Sequence, residues 1–235
     1  MIDHFLIIDE HCHTYPTAEK AQRVLGAFND IYKTMPIHIG NGTVDEVLLT
    51  MEHGGIDFTV LANFGPLKIL HENNLWTLSL HQKHPGLIPL VGVHPDLPGD
   101  LVERVKNYRA MGARGIKIHP TAQGFIPNHP KLQRLYAYCN ETHFPVVFHC
   151  GVVAQLKVNI SDIDQIMPII KRYTEIPLVL THMAEGNRDD ILRIAERYPH
   201  VFFDTSIAVS GFRCIERVHD RCWEEDQTMI ALVRQ

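Results

Sequence analysis

Seven short apolar runs recur along the chain, and the segments between them repeat apolar residues at the spacing of an amphipathic helix. The runs are rich in Val, Ile, Leu and Phe, and they predict strands at 5–9, 58–63, 88–93, 115–118, 146–149, 178–181 and 201–204. Strands that alternate with helices build a parallel sheet through right-handed crossovers. Seven consecutive βα units therefore predict an α/β protein with a TIM-like (β/α) barrel, formed as a single domain by residues 1–235.

The segments between the predicted strands contain residues that are typical of helix starts and ends. Helices are predicted at 44–53, 67–83, 100–111, 131–142, 161–173, 187–198 and 215–235. Gly54 and Gly55 close the first of these, and Ser161 is the predicted N-cap of the fifth. Residues 14–43 are longer than a usual βα connection, and we expect one short helix there followed by a loop over the barrel mouth. The run at 5–8 is continuously apolar, which is typical of a strand covered on both faces.

Nearly every predicted strand ends in a side chain that can do chemistry. His11 and His13 follow the first strand, and the later ends carry, in chain order, His94, Lys117 and His119, His149, His182 and Asp204. A barrel draws the residues of its site from the carboxyl ends of many strands, whereas an open sheet uses one switch point. No glycine-rich phosphate-binding sequence occurs, so a dinucleotide or P-loop site has no support. The pattern therefore favours a barrel whose polar residues converge on one mouth.

Histidines at two strand ends predict a metal site. His11 and His13 are spaced i, i+2, so they share one side of an extended chain, and His149 recurs in a matching context. Neutral imidazole binds Zn, Mn, Fe and Ni, and catalytic zinc usually takes three protein ligands and an open position. We predict a divalent metal, with zinc favoured, on these three histidines, and we predict that Asp9 and Asp204 orient the groups around it. The alternative is that His11 and His13 are ordinary polar residues of a loop.

The remaining strand-end residues have more than one reading. His182 is predicted to act as general acid or base, or to stabilise charge on a substrate, against a purely structural capping role. Lys117 is predicted to bind a substrate carboxylate or to carry a carbamate that bridges two metals, and a simple ion pair is the alternative. His119 shares a strand face with Lys117, and both it and His94 are predicted to contact substrate. Cys12 points away from the histidine pair and is expected to fill the core.

Composition and charge limit the classes of binding partner and the compartment that we expect for this protein. The net charge of −5 argues against a nucleic-acid surface, and no apolar run is long enough for a membrane helix. Five cysteines without a CxxC pair, and an N-terminus without a signal-peptide pattern, predict a cytoplasmic protein with reduced thiols. The expected partner is a small-molecule substrate, and a homo-oligomer is compatible with such a barrel.

The strand-end sequences, taken in order, resemble those of the amidohydrolase superfamily. The segments that carry the likeness are IIDEHCH, GIKIHP, VVFHCG, LVLTHMAEG and FFDTS, and they extend over essentially the whole chain. They look closest to the amidohydrolase-related branch that includes aminocarboxymuconate-semialdehyde decarboxylase and resorcylate-type decarboxylases. The HxH pair alone is weak evidence, whereas the ordered set is specific for the superfamily and uninformative about the substrate.

The resemblance implies a TIM-like barrel with one divalent metal, held by His11, His13 and His149, and a strand-six histidine that maps to His182. One departure concerns the aspartate that this family carries at the end of strand eight. The last residues, MIALVRQ, look like a helix after strand seven, and Asp204 ends strand seven. We therefore expect a barrel without its eighth strand, which is a C-terminally incomplete piece of the family's domain.

Three functions remain open at this point. The first is a metal-dependent hydrolase that attacks a small polar amide, ester or lactone with a metal-activated water. The second is a non-oxidative decarboxylase on the same barrel. The third is a metal-binding fragment with impaired catalysis, which the absent eighth strand favours.

Overall fold

A computed structural model of the chain describes residues 5–32, 40–151, 160–185 and 188–206. The chain divides into two compact units. Unit one comprises Met1–Gly92 and Glu103–Gly115, and unit two comprises Val93–Val102 and Ile116–Gln235. No helix among the described residues is long and apolar enough to cross a membrane.

Unit one contains the first three strands and the helices between them. Its elements are β1 (Ile8–Cys12), α1 (Ala18–Tyr32), α2 (Val44–Gly54), β2 (Phe58–Leu61), α3 (Leu67–Lys83) and β3 (Leu87–Gly92), and they are followed by α4 (Leu101–Ala110). β2 pairs in parallel with β1 and with β3. The pairing register of β1 with β2 shifts between Asp9 and Cys12, so the strand is irregular at His11.

A small apolar cluster holds unit one together. Val47 on α2, Leu80 on α3 and the strand residues Leu61 and Leu87 are all buried there, and Cys12 packs against them. The prediction that Cys12 fills the core is therefore confirmed. The cluster fixes α2 and α3 on the sheet, and it thereby fixes the end of β1.

The first strand differs from its prediction. It runs from Ile8 to Cys12 rather than over 5–9, and Phe5 and Leu6 are 80% and 69% exposed. The expectation of a strand buried on both faces at 5–8 is thus wrong. The physical reason is that Phe5 and Leu6 precede β1 and lie outside the sheet, so the elements that pack on the sheet do not cover them.

Unit two continues the alternation. Its elements are β4 (Gly115–Ile118), α5 (Pro120–Gln123), α6 (Gln133–Thr142), β5 (Val146–Phe148), α7 (Ile163–Arg172), β6 (Leu178–Leu180), α8 (Arg188–Arg197) and β7 (Val201–Phe203), with a 3-10 turn at Pro130–Leu132 and a left-handed turn within Thr181–Glu185. β4, β5, β6 and β7 pair with one another in parallel and in sequence order. The predicted strands are confirmed to within a few residues at each end.

Two helix predictions need correction. Asp162, not Ser161, caps α7, because the Asp162 carboxylate accepts from the Asp164 N–H at 2.9 Å. The Ser161 hydroxyl is occupied elsewhere, 2.6 Å from Thr121 Oγ1. Helix α1 has 15 residues, so it is longer than the short helix expected within 14–43. The predicted last helix and any eighth strand fall in 207–235, outside the described residues.

Candidate metal and catalytic site

The two histidines that follow the first strand bring the same ring atom together. His11 Nε2 and His13 Nε2 are 3.2 Å apart, with the ring centroids 4.9 Å apart and the planes at 78°. Zinc–nitrogen bonds of about 2.0–2.1 Å place two tetrahedral ligands about 3.3–3.4 Å apart. The observed distance of 3.2 Å between the two Nε2 atoms is close to this distance between two zinc ligands. It also fits a hydrogen bond between the rings when one Nε2 is protonated, so metal binding there would displace one proton.

The backbone around this histidine pair is held on both sides. The His11 N–H donates to the Asp9 carboxylate at 3.2 Å, and the Thr14 N–H donates to Asn63 Oδ1 at 2.8 Å. The Asn63 amide in turn donates to Thr77 Oγ1 on α3 at 2.9 Å. Asp9 therefore contacts the backbone of His11 in this structure. That it orients an imidazole ring stays a prediction.

The cysteine between the two histidines is not a thiolate. Burial raises the pKa of the Cys12 thiol to about 12, and the negative charge of Asp9 adds to the shift. A thiol binds metal or attacks a substrate only after deprotonation. Cys12 therefore stays protonated near neutral pH and serves packing.

In unit two, three imidazoles lie in a row. His119 stacks on His149 with ring centroids 3.6 Å apart and planes at 13°, and His149 meets His182 edge-on at 4.9 Å. His149 Nδ1 is 3.3 Å from His182 Nε2. All three residues are buried, with at most 7% of any of them exposed. The predicted third ligand and the predicted acid or base are thus direct neighbours.

Asp204 anchors His182 through its backbone. Asp204 Oδ1 accepts from the His182 N–H at 2.9 Å, and it also accepts from the Ser206 N–H at 3.1 Å and the Ser206 hydroxyl at 2.5 Å. His182 Nδ1 lies 2.9 Å from the Ser206 carbonyl oxygen. That oxygen can only accept, so Nδ1 carries the proton in the neutral ring and Nε2 carries the lone pair.

The segment that presents His182 has an unusual backbone. His182, Met183 and Ala184 have φ of 57°, 52° and 53°, so three consecutive non-glycine residues are left-handed. Such residues cost about 1–2 kcal/mol each, and they persist where the surroundings hold them. Here Asp204 binds the turn at two points, because its carbonyl also accepts from the Met183 N–H at 2.8 Å. Sequence periodicity gives no signal for this turn, so the sequence predicts His182 only as a residue at a strand end.

The other predicted site residues of unit two are His94, Lys117 and His119, and their hydrogen bonds and burial differ. His119 Nδ1 accepts from the Ala122 N–H at 3.2 Å as the N-cap of α5, so its Nε2 carries the proton in the neutral ring. His94 Nδ1 accepts from the Asp96 N–H at 3.1 Å, and its Nε2 lies 3.2 Å from the Gln123 carbonyl oxygen. Both nitrogens of His94 thus support local backbone. Lys117 is fully buried on β4.

The structure therefore groups the predicted residues into two sets. Asp9, His11 and His13 lie together in unit one, and the histidine row lies with Asp204 in unit two. The three-histidine metal site takes members from both units and stays a prediction. Ser206 and Asn63 were not assigned roles from the sequence, because a serine or an asparagine after a strand is common and carries no pattern of its own.

Known structures share the fold. The chain is similar to a TIM-barrel protein of unassigned function from Bordetella bronchiseptica, with a TM-score of 0.69 and 14% identity over 86% of this chain and 75% of that one. A probable 2-pyrone-4,6-dicarboxylic acid hydrolase from Acinetobacter baumannii gives a TM-score of 0.59 and 16% identity over 96% and 80%. A 4-oxalomesaconate hydratase from Rhodopseudomonas palustris gives 0.56 and 18% over 92% and 78%. At these identities the likeness shows the TIM-barrel fold alone.

Sequence comparison gives the family. A search of curated proteins returned no match. The amidohydrolase family model, in contrast, matches residues 8–231, which is nearly the whole chain and includes every strand described above. The chain therefore belongs to the amidohydrolase family.

Proposed function

We propose that this protein is a metal-dependent hydrolase that cleaves a small polar amide, ester or lactone. The observation that carries the proposal is the 3.2 Å approach of His11 Nε2 and His13 Nε2, a separation that suits two ligands of one cation. Family membership and the hydrolase and hydratase among the similar folds support addition of water as the chemistry. We also propose that the chain is related to the branch of the family that contains decarboxylases.

The donor set fits a divalent cation. His11 and His13 would hold it through Nε2, and we propose His149 as the third ligand. Imidazole nitrogen suits zinc and equally Mn, Fe or Ni, so the donors alone do not select the metal. A divalent cation there would act as a Lewis acid toward a substrate carbonyl and toward water.

His182 is the proposed general base. The Ser206 carbonyl holds the proton on His182 Nδ1, so the Nε2 lone pair is the position that accepts a proton. The Asp204 carboxylate fixes the His182 backbone at 2.9 Å, so the ring approaches from a defined direction. After accepting the proton, the same nitrogen can return it to a leaving amine or alkoxide.

Lys117 and His119 are proposed to bind the substrate. The His119 Nε2–H is a donor, because Nδ1 is occupied as a helix cap. Lys117 is fully buried on β4, and its positive charge would attract a carboxylate on the substrate. The substrates that name two of the similar folds, a pyrone dicarboxylic acid and oxalomesaconate, are acids, which agrees with a role for an anion site.

The test measures whether oxygen from water enters the product and whether carbon dioxide is released. Zinc-loaded protein is incubated with a panel of small carboxylated amides, esters and lactones in ¹⁸O water. We expect ¹⁸O in the product and no carbon dioxide, and we expect His182→Asn to lose turnover while it still binds metal. His143→Asn is the matched control, because that imidazole is exposed, with its Nδ1 3.0 Å from the Glu175 carbonyl oxygen, and it should leave turnover unchanged.

Other outcomes separate the alternatives. Carbon dioxide release without ¹⁸O incorporation would favour the decarboxylase. Zinc binding by His11 and His13 with no turnover on any class of substrate would favour a metal-binding protein without catalysis, and it would contradict the proposal.

A further inference from the structure

The side chain of Gln123 joins two segments of unit two that carry predicted substrate-binding residues. Its Oε1 accepts from the His119 N–H at 2.9 Å, and its Nε2 donates to the Val93 carbonyl at 3.2 Å. Gln123 is also the last residue of α5, and its own N–H donates to the His119 carbonyl at 2.9 Å. Both backbone polar groups of His119 are therefore bonded to this one glutamine.

The same glutamine holds the ring of His94. The Gln123 carbonyl oxygen lies 3.2 Å from His94 Nε2, and a carbonyl can only accept, so this nitrogen carries the proton. His94 Nδ1 accepts from the Asp96 N–H at 3.1 Å, which agrees with that tautomer. Gln123 thus contacts both histidines of unit two that the sequence predicts at the substrate.

The backbone of His119 determines what its ring can do. Its Nδ1 accepts from the Ala122 N–H at 3.2 Å, and its ring stacks on that of His149 with centroids 3.6 Å apart. The Nε2–H of His119 is left as the donor, and its direction follows from the backbone that carries the ring. His119 is 2% exposed, so water replaces a lost partner of its N–H poorly.

We propose that Gln123 is a positioning residue that sets the direction in which the His119 Nε2–H donates to a carboxylate of the substrate. It acts through His119 rather than on the substrate. Both ends of its amide take part, because Oε1 fixes His119 and the bond from Nε2 to Val93 fixes the amide itself. This inference rests on the proposed function, since it concerns the substrate-binding role given there to His119.

Gln123→Met tests these hydrogen bonds, because methionine has nearly the same length and no amide group. The probe is succinate, a small dicarboxylate, which is titrated into the zinc-loaded full chain by calorimetry. NMR measures the exchange of the His119 N–H and the ¹⁵N signals of its ring. We expect exchange about tenfold faster and succinate binding about fivefold weaker. We also expect ring signals intermediate between the two tautomers, because a looser backbone breaks the bond to Nδ1 part of the time.

Gln133→Met is the matched control for a general loss of stability. Gln133 is also half-buried in unit two, and its side chain bonds Asn128 at 2.8 Å and Tyr173 at 3.0 Å, neither of which is a predicted site residue. It should lower the melting temperature by an amount similar to that in Gln123→Met. It should leave the exchange of the His119 N–H and the affinity for succinate unchanged.

The outcomes separate positioning from packing and from the proposed function. Unchanged His119 exchange and unchanged succinate affinity in Gln123→Met would overturn the proposal and indicate that this side chain only fills space. Equal losses in both methionine variants would also overturn it, because they would reflect stability alone. Absence of succinate binding by the unaltered protein would contradict the proposed anion site, whereas the exchange and ring signals of His119 decide in either case whether Gln123 fixes that residue.

Discussion

Removal of the Asp204 carboxylate should loosen the turn that presents His182. Oδ1 of Asp204 accepts three hydrogen bonds at 2.9, 3.1 and 2.5 Å, and the residue is only 7% exposed. Hydrogen bonds to a charged group contribute about 1.5–3 kcal/mol, and buried donors left without a partner add to the loss. Because Ser206 is half-buried and can find water, we expect Asp204→Ala to lower the free energy of unfolding by about 3–5 kcal/mol.

The conservative variant distinguishes the hydrogen bonds from the charge. Asp204→Asn keeps an oxygen that can accept from the His182 N–H, so its loss should be about 1–2 kcal/mol. Asp96→Ala is the control, because Asp96 pairs with Lys131 at the surface and its removal should leave stability nearly unchanged.

Urea denaturation gives the free energies, and hydrogen exchange of the His182 amide reports on the turn itself. We expect faster exchange at His182 in Asp204→Ala and a smaller change in Asp204→Asn. A loss below about 1 kcal/mol in Asp204→Ala, with unchanged exchange at His182, would refute the claim that this carboxylate holds the left-handed turn.

Three further variants test the physical reading of single residues. Ala184→Gly should raise stability by about 1 kcal/mol in urea denaturation, because φ at Ala184 is 53° and glycine adopts that region without strain; a loss would contradict the assigned turn. Burial raises the pKa of Tyr136 well above 10, so stability should be intact below pH 10 and fall as pH rises further, when the unfolded phenol ionises and the folded one cannot. Tyr136→Phe should make that fall shallower by about 1.4 kcal/mol per pH unit, and an unchanged slope would show that this phenol ionises in the fold. Asn74→Ala should cost about 2–4 kcal/mol and expose the Gly92 amide to exchange, since the Asn74 side chain bonds both Gly92 N–H and C=O at 2.8 Å; protection retained at Gly92 would contradict this.

Most of the fold follows from the sequence, because short apolar runs and amphipathic segments alternate without interruption. The exception is the first strand, where apolar residues at 5–8 predict burial and the structure leaves Phe5 exposed. An apolar run reports the composition of a segment, whereas its burial depends on the elements that pack against it, and Phe5 lies before the strand begins. The predicted N-cap of α7 is wrong because Ser161 and Asp162 are both suitable cap residues. The Ser161 hydroxyl is hydrogen-bonded to Thr121, and Asp162 caps the helix.

The candidate site was predicted less completely than the fold. Spacing placed His11 beside His13, and the structure adds that their Nε2 atoms converge. The row of His119, His149 and His182 depends on a left-handed turn and on packing between strands, and neither leaves a periodic signal in the sequence. Local pattern therefore identifies the chemical groups, and tertiary contacts decide which nitrogen of each ring carries a proton.

Anomalous diffraction from crystals of the zinc-loaded protein tests the central claim most directly. Data on both sides of the zinc edge locate the metal without reference to its ligands. We predict one strong peak about 2.0–2.1 Å from both His11 Nε2 and His13 Nε2, and no peak there in the His11→Ala, His13→Ala double variant. A zinc peak elsewhere, with neither Nε2 atom bonded to it, would contradict the account.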